Sequence, residues 1–165
     1  MNLKTKEDNV EVTEEDNKNN EDKSPKKLSS VERSLVIIKP DGVAKKVVGE
    51  IISRFEKAGL EIDRIRVLNM DKSIALTHYQ EHKGKPYFEK LINYMISGPS
   101  IVMVVKGENA ISKTRELMGP TDPSKASKGT IRGDFGTDIT INVIHGSDCP
   151  ENAEREINIF FRNYL

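Results

Sequence analysis

The run Ile101-Val102-Met103-Val104-Val105 contains no charge, is dominated by β-branched residues and is bounded by Gly98-Pro99 and Gly107. A segment so short and so apolar is a buried strand, and nothing else in the chain is so tightly constrained. Leu35-Val36-Ile37-Ile38 reads the same way. Between these runs the apolar residues change period. Val47, Val48, Ile51, Ile52 and Phe55 recur at helical spacing, and Gly59 follows as a left-handed stop. A second strand is expected over 62–68, helices over 74–82 and 87–96, and a helix over 109–118. A long loop rich in Gly, Pro, Ser and Lys should cover 119–136, then a strand near 139–144 and a last helix over 150–161. Alternating strands and helices define a mixed α and β domain.

The first thirty residues have another character. They carry eight acidic residues, six lysines and five asparagines, whereas all nine aromatic residues of the chain lie between Phe55 and Tyr164. Such a segment cannot bury enough apolar surface to offset the entropy of ordering, so 1–30 is read as a disordered charged tail and 31–165 as one folded domain. With 26 basic and 26 acidic residues the net charge is zero, which gives no general attraction to nucleic acid or an anionic membrane. No apolar run approaches the ~18 residues of a membrane span, and the N-terminus has no apolar signal core. One cysteine, Cys149, forms no internal disulfide. A reducing cytoplasm is the expected location.

The familiar phosphate loop G-x-x-x-x-G-K-[ST] and the G-x-G-x-x-G turn are both missing, so a nucleotide site here would be built from side chains. Lys39-Pro40-Asp41-Gly42 ends the first strand, where a lysine leaving the core can meet an anion; the same residues also make an ordinary turn. Arg115, Thr121, Lys125, Lys128, Thr130 and Arg132 cluster in and before the long loop. Guanidinium groups and hydroxyls suit a polyphosphate, although basic loop residues are more often simply solvated. The sharpest feature is Asn142-Val143-Ile144-His145-Gly146-Ser147-Asp148-Cys149-Pro150. A strand delivers His145 to a turn, and Pro150 opens a helix in which Ala153, Glu156, Ile157 and Phe160 share one face. Glu156 therefore points inward and needs a partner. A neutral imidazole can attack phosphorus at physiological pH while a carboxylate fixes its tautomer, and His145 with Glu156 makes such a pair. A core histidine, with Glu156 bridged to a lysine, explains the same residues. His78 and His82 read as surface residues of a helix.

Taken together, Lys39-Pro40-Asp41-Gly42-Val43, His78-Tyr79, Lys85-Pro86-Tyr87-Phe88, Ser97-Gly98-Pro99, Gly119-Pro120-Thr121-Asp122-Pro123, the stretch from Gly129 to Phe135 and Asn142 to Asp148 closely resemble nucleoside diphosphate kinase. The motifs stand in family order and spacing from about Arg33 to Phe161. The resemblance implies an α+β, ferredoxin-like fold, a four-stranded antiparallel sheet covered by helices, assembled as a homo-oligomer, hexamer or tetramer. It implies transfer of the γ-phosphate of a nucleoside triphosphate, mainly ATP, to a nucleoside diphosphate by a ping-pong route. By matched position His145 is the phosphorylated nucleophile, Glu156 its orienting group and Ser147 a neighbour of both. Lys39 and Asn142 match ribose contacts, with Lys39 also reaching the transferred phosphate. Arg115, Thr121 and Arg132 match the phosphate-binding groups and Tyr79 the tyrosine near the reacting phosphate, while Tyr87, Leu91 and Ile139 fall where the family holds the base. Mg2+ is expected on the nucleotide's phosphates rather than in a protein cage, with Asp148 at most a water-mediated contact.

Each part has a physical reason. The charge of a loose phosphoryl-transfer transition state is spread over its oxygens, so cationic groups position and neutralise it. An aromatic face stacks on any base without reading its edges, which implies broad base specificity. There are departures from the family pattern. Tyr87 stands where Phe is common, adding a hydroxyl that must stay wet or find a partner. Thr140-Ile141-Asn142 replaces a usual Gly-Arg-Asn, and Cys149 replaces a frequent serine at the helix cap. Leu165 follows the last helix closely, so contacts made by longer family tails are not expected. Two other readings are a catalytically silent nucleotide-binding module and an RNA-binding domain of similar layout. Intact His145, Glu156, Lys39 and arginines oppose the first; the lack of an aromatic Gly-Phe strand opposes the second.

Overall fold

The computed structural model describes residues 30–162. The expected disordered tail, but for Ser30, lies outside the described residues. Within them the order is β1 (Val31–Ile38), α1 (Pro40–Ala44), α2 (Val48–Lys57), β2 (Glu61–Asn69), α3 (Lys72–His78), α4 (Phe88–Met95), β3 (Pro99–Glu108), α5 (Ala110–Met118), α6 (Ile131–Phe135), β4 (Ile144–Gly146) and α7 (Pro150–Phe161). Short 3₁₀ turns occupy Gln80–His82 and Pro123–Lys125.

The strands form one sheet in the order β2-β3-β1-β4. Every pairing is antiparallel, with Leu35 opposite Val104 in the centre and Ile37 opposite His145 at the β4 edge. This is the ferredoxin-like arrangement. Alternate residues of β1 face two separate cores. Leu35 and Ile37 pack with Val102, Val104, Phe88, Ile92, Ile157 and Phe160, while Val36 and Ile38 pack with Ile51, Phe55, Met103, Val105 and Met118. Burial on both faces explains why residues 35–38 of β1 and 101–105 of β3 are continuous apolar runs without alternation. The edge strand β2 alternates, leaving Ile65 and Val67 exposed.

Most expected elements recur with ends moved by a residue or two, and Gly59 takes the left-handed conformation at φ 79° after α2. Three expectations are corrected. The strand expected over 139–144 is confined to Ile144–Gly146. Asp138 Oδ1 accepts the backbone N–H groups of Thr140 and Ile141, both at 2.8 Å, and Thr137 and Asp138 donate to the Ile141 carbonyl. An aspartate that bonds its own backbone two and three residues on makes a compact turn and competes with strand pairing. The long loop over 119–136 holds its own helix, α6, capped by Thr130, whose Oγ1 accepts from Gly133 N–H at 3.1 Å. The helix expected over 74–82 ends at His78, and a separate 3₁₀ turn follows. At α7, Cys149 stands at the N-cap without a side-chain cap, while Asp148 accepts from the Asn152 side chain.

Gly146 sets how closely β4 approaches α5. A Cβ at that position would lie 2.5 Å from Met118 Sδ and 2.7 Å from Thr114 Cγ2. Gly146→Ala should therefore destabilise the protein by about 1–3 kcal/mol through overpacking, read as a lowered urea midpoint. A midpoint equal to that of the parent chain would show that the β4–α5 contact yields freely.

Candidate active site

The C-terminal end of β1 lies beside the N-terminal end of the antiparallel β4, and Lys39 just after β1, Asn142 just before β4 and His145 within it line a cavity of about 350 Å³. At its floor His145 Nε2 lies 3.2 Å from Glu156 Oε2. Glu156 is only 5 % exposed, so its charge must be met from within. Ser147 Oγ donates to the same carboxylate oxygen at 2.6 Å and accepts from Leu35 N–H at 3.0 Å, which couples α7 to the central strand. Ser147 itself is fully buried behind the cavity wall. Arg155 Nη2 approaches the other carboxylate oxygen at 4.0 Å.

One wall is cationic. Lys39 caps β1, with its N–H donating to Val143 O at 2.7 Å, and its buried ammonium group donates to Asn142 Oδ1 at 2.8 Å. The Asn142 amide nitrogen in turn donates to Thr121 O and Ile139 O at 2.9 and 3.1 Å. One buried asparagine thus ties Lys39, Thr121 and Ile139 into a single frame. Burial, and then repulsion from Arg132, lowers the Lys39 pKa to about 7, against the opposing pull of Asp41 and Asp138. Arg132 is held by the carbonyls of Gly119 at 3.1 Å and Ile144 at 2.7 Å. Burial and the neighbouring Arg115 bring its pKa down to about 10, which still leaves it charged at neutral pH. Arg115 and Thr121 complete this side from exposed positions.

The opposite wall is aromatic and apolar. Tyr79 lies toward the floor, its ring centroid 6.4 Å from that of His145, and burial raises its hydroxyl pKa. Tyr87, Leu91 and Ile139 line the mouth. Of the residues that the resemblance assigns to the site, all but Ser147 line the cavity, and Ser147 supports it from behind; the loop residues Lys125, Lys128 and Thr130 do not line it, Thr130 capping α6 instead.

His78 is a correction. It is buried, 4 % exposed, with its ring edge-on to His145 at a centroid distance of 4.7 Å. Burial and adjacent positive groups hold its pKa well below the usual value, which keeps it neutral. The signal was the helical stripe Ile74, Ala75, His78, which places His78 on the apolar face of α3. Arg155 and His82 are further cavity residues that the sequence reading did not assign.

His78, His145 and Glu156 offer ligand atoms within 4.8 Å of one another. A tetrahedral zinc with bonds of about 2.0–2.1 Å needs its ligands roughly 3.3 Å apart. The cluster is more open than that and is ringed by Lys39, Arg115, Arg132 and Arg155, an environment that favours an anion.

The fold and the site together define a ferredoxin-like α+β enzyme with a histidine and carboxylate at the floor of an anion pocket. The sequence model of the nucleoside diphosphate kinase family matches residues 32–164. The nucleoside diphosphate kinase of Pelotomaculum thermopropionicum is 53 % identical over 131 residues, covering 79 % of this chain and 88 % of the relative. That of Thermococcus kodakarensis is 54 % identical over 135 residues, covering 80 % and 78 %. A halophilic nucleoside diphosphate kinase from Halobacterium salinarum, solved in complex with CDP, superposes with a TM-score of 0.77 at 43 % identity, covering 80 % of this chain and 88 % of the other. The apo enzyme of Encephalitozoon cuniculi gives 0.77 at 41 % identity, covering 78 % and 88 %. This chain belongs to the nucleoside diphosphate kinase family and is a phosphotransferase.

The lowered pKa of Lys39 has a signed consequence. Because the folded value, about 7, lies below the unfolded value of 10.5, the unfolded chain holds the proton more tightly, and Lys39 disfavours folding most below pH 7. In the nucleotide-free protein that cost should fade as pH rises from about 7 to 10.5. Lys39→Met should raise the melting temperature at pH 6 and lose most of that advantage by about pH 10. An equal difference at both values would contradict the assignment.

Proposed function

We propose that this enzyme moves the γ-phosphate of a nucleoside triphosphate, mainly ATP, onto a nucleoside diphosphate by a ping-pong route through phosphorylated His145. The supporting observation is the engagement of Nε2 by Glu156 at 3.2 Å. With the Nε2 hydrogen held by the carboxylate, the lone pair of Nδ1 is left to attack phosphorus. In the first half-reaction the Nδ1–P bond forms as the bond from phosphorus to the bridging oxygen breaks, and the diphosphate leaves with that electron pair. In the second, a terminal phosphate oxygen of the acceptor attacks phosphorus and the Nδ1–P bond breaks. Glu156 stabilises the positive charge that the ring carries in between, and Ser147 holds Glu156 in place.

Lys39, Arg115, Thr121 and Arg132 are assigned to the polyphosphate, where preorganised cations neutralise developing charge without moving. Lys39 and Asn142, already bonded to each other, also take the ribose hydroxyls. Tyr79, its hydroxyl kept protonated by burial, is a donor beside the reacting phosphate. Tyr87, Leu91 and Ile139 hold the base by stacking and apolar contact, which gives broad base specificity.

The cavity offers scattered carboxylates, Glu81, Asp148 and Glu156, rather than a cage of oxygen ligands. That donor set fits Mg2+ bound through the nucleotide phosphates, where it would neutralise charge on their oxygens. A homo-oligomer, hexamer or tetramer, acting in the cytoplasm completes the reading. Exposed Ile65 and Val67 on β2 are surface that assembly would cover, and among the described residues no helix is long and apolar enough to cross a membrane.

His145→Ala should abolish phosphate exchange between ATP and another nucleoside diphosphate while leaving nucleotide binding measurable. Glu156→Ala should slow turnover by ~10²-fold without abolishing it, as expected for an orienting group. Exchange that persists in His145→Ala would remove the histidine from the mechanism.

A further inference from the structure

Tyr87 stands at the mouth of the cavity, one residue ahead of α4, with 42 % of its surface exposed. An exposed aromatic side chain can sample several rotamers, which differ in where they put the ring face. Among the described residues, one neighbour restrains its hydroxyl by hydrogen bonding. His82, in the 3₁₀ turn after α3, places Nδ1 2.7 Å from the Tyr87 hydroxyl, and the two rings meet edge to face at 5.6 Å. The contact holds in either protonation arrangement, since the phenol can donate to bare Nδ1 or accept from Nδ1–H. His82 also faces Tyr79, centroid to centroid 6.1 Å, and Tyr79 faces His145 at the floor. Contiguous rings therefore run from the mouth of the pocket to the nucleophile.

We propose that His82 is a positioning residue for the nucleotide base: through the Tyr87 hydroxyl it holds the aromatic platform in its stacking rotamer before the nucleotide arrives. The inference rests on the reading of Tyr87 as the base platform. It depends on the hydroxyl, because a phenylalanine at position 87 would give His82 nothing to bond. Here the departure from the family's usual residue is a device: fixing the rotamer in advance removes an ordering cost that binding would otherwise meet. The gain falls on affinity, shared by donor and acceptor, and not on the chemical step.

The test is a double-mutant cycle on the full chain in its unphosphorylated state, titrated with ADP and CDP. Tyr87→Phe and His82→Ala should each weaken both nucleotides by roughly 2- to 10-fold. The double variant should be no weaker than either single one, because both remove the same bond. His82→Gln, whose amide can still reach the phenol, should recover part of the loss. In steady-state assays KM should rise while kcat changes by less than about twofold. Both side chains are solvent-accessible, and matching melting temperatures would show that the variants are folded. Additive losses, or a His82→Ala protein that binds like the parent, would overturn the proposal. Tyr87→Ala separates the two levels of the argument: if it weakens binding while Tyr87→Phe and His82→Ala do not, only the role of His82 fails. If Tyr87→Ala also binds like the parent, the base platform itself has been misassigned.

Discussion

A buried carboxylate without hydrogen-bond partners would cost several kcal/mol, and Glu156 is met by Ser147, whose hydroxyl donates to it, and by His145. That requirement orders the end of the molecule. Ser147 can reach Glu156 only if β4 pairs with β1, because the same hydroxyl accepts from Leu35 N–H in the central strand. His145 can reach it only if β4 is in the register that sets it opposite Ile37. The approach of β4 to α5 depends in turn on the missing side chain at Gly146. Satisfying one charge thus fixes the ring that the proposed chemistry uses.

The cationic wall obeys the opposite logic. Lys39 and Arg132 are held by carbonyl oxygens and an amide oxygen, not by full counter-charges, and both pKa values fall. Cations gathered in this way are not fully neutralised by the protein's own groups. On the proposed reading a polyphosphate would supply the balancing charge, and part of its binding free energy would come from relieving the repulsion between these cations. On the same reading the apolar wall would add affinity that is indifferent to charge, and the two walls meet at His145.

Much of this was legible in the sequence where a local rule and a tertiary need coincide. Residues 35–38 of β1 and 101–105 of β3 are uninterruptedly apolar because both faces of the sheet are covered there, and α2 announced itself by its period and by Gly59. The histidine and carboxylate could be paired because Glu156 interrupts an otherwise apolar stripe. What escaped depended on competition between local and long-range bonds. Apolar residues at 139 and 141 suggested a strand, but Asp138 captured their backbone in a turn, and that turn is what presents Asn142 to Lys39. His78 reads as a helix surface residue when its polarity is weighed alone, but it shares a face of α3 with Ile74 and Ala75, and its ring belongs to the core beneath His145. The bond between His82 and Tyr87 joins a turn to the start of a helix, and no periodicity reveals it.

The central claim is that one ring nitrogen, Nδ1 of His145, carries the phosphate between donor and acceptor. Phosphorus NMR of the full chain, loaded with ATP and magnesium in the absence of acceptor and freed of nucleotide, tests it directly. The expected result is about one phosphate per chain, in a single phosphoramidate signal assigned to Nδ1, labile to acid and stable to alkali. An acid-stable phosphate, or a signal from Nε2 phosphohistidine, would contradict it, the latter because that nitrogen is the one Glu156 holds.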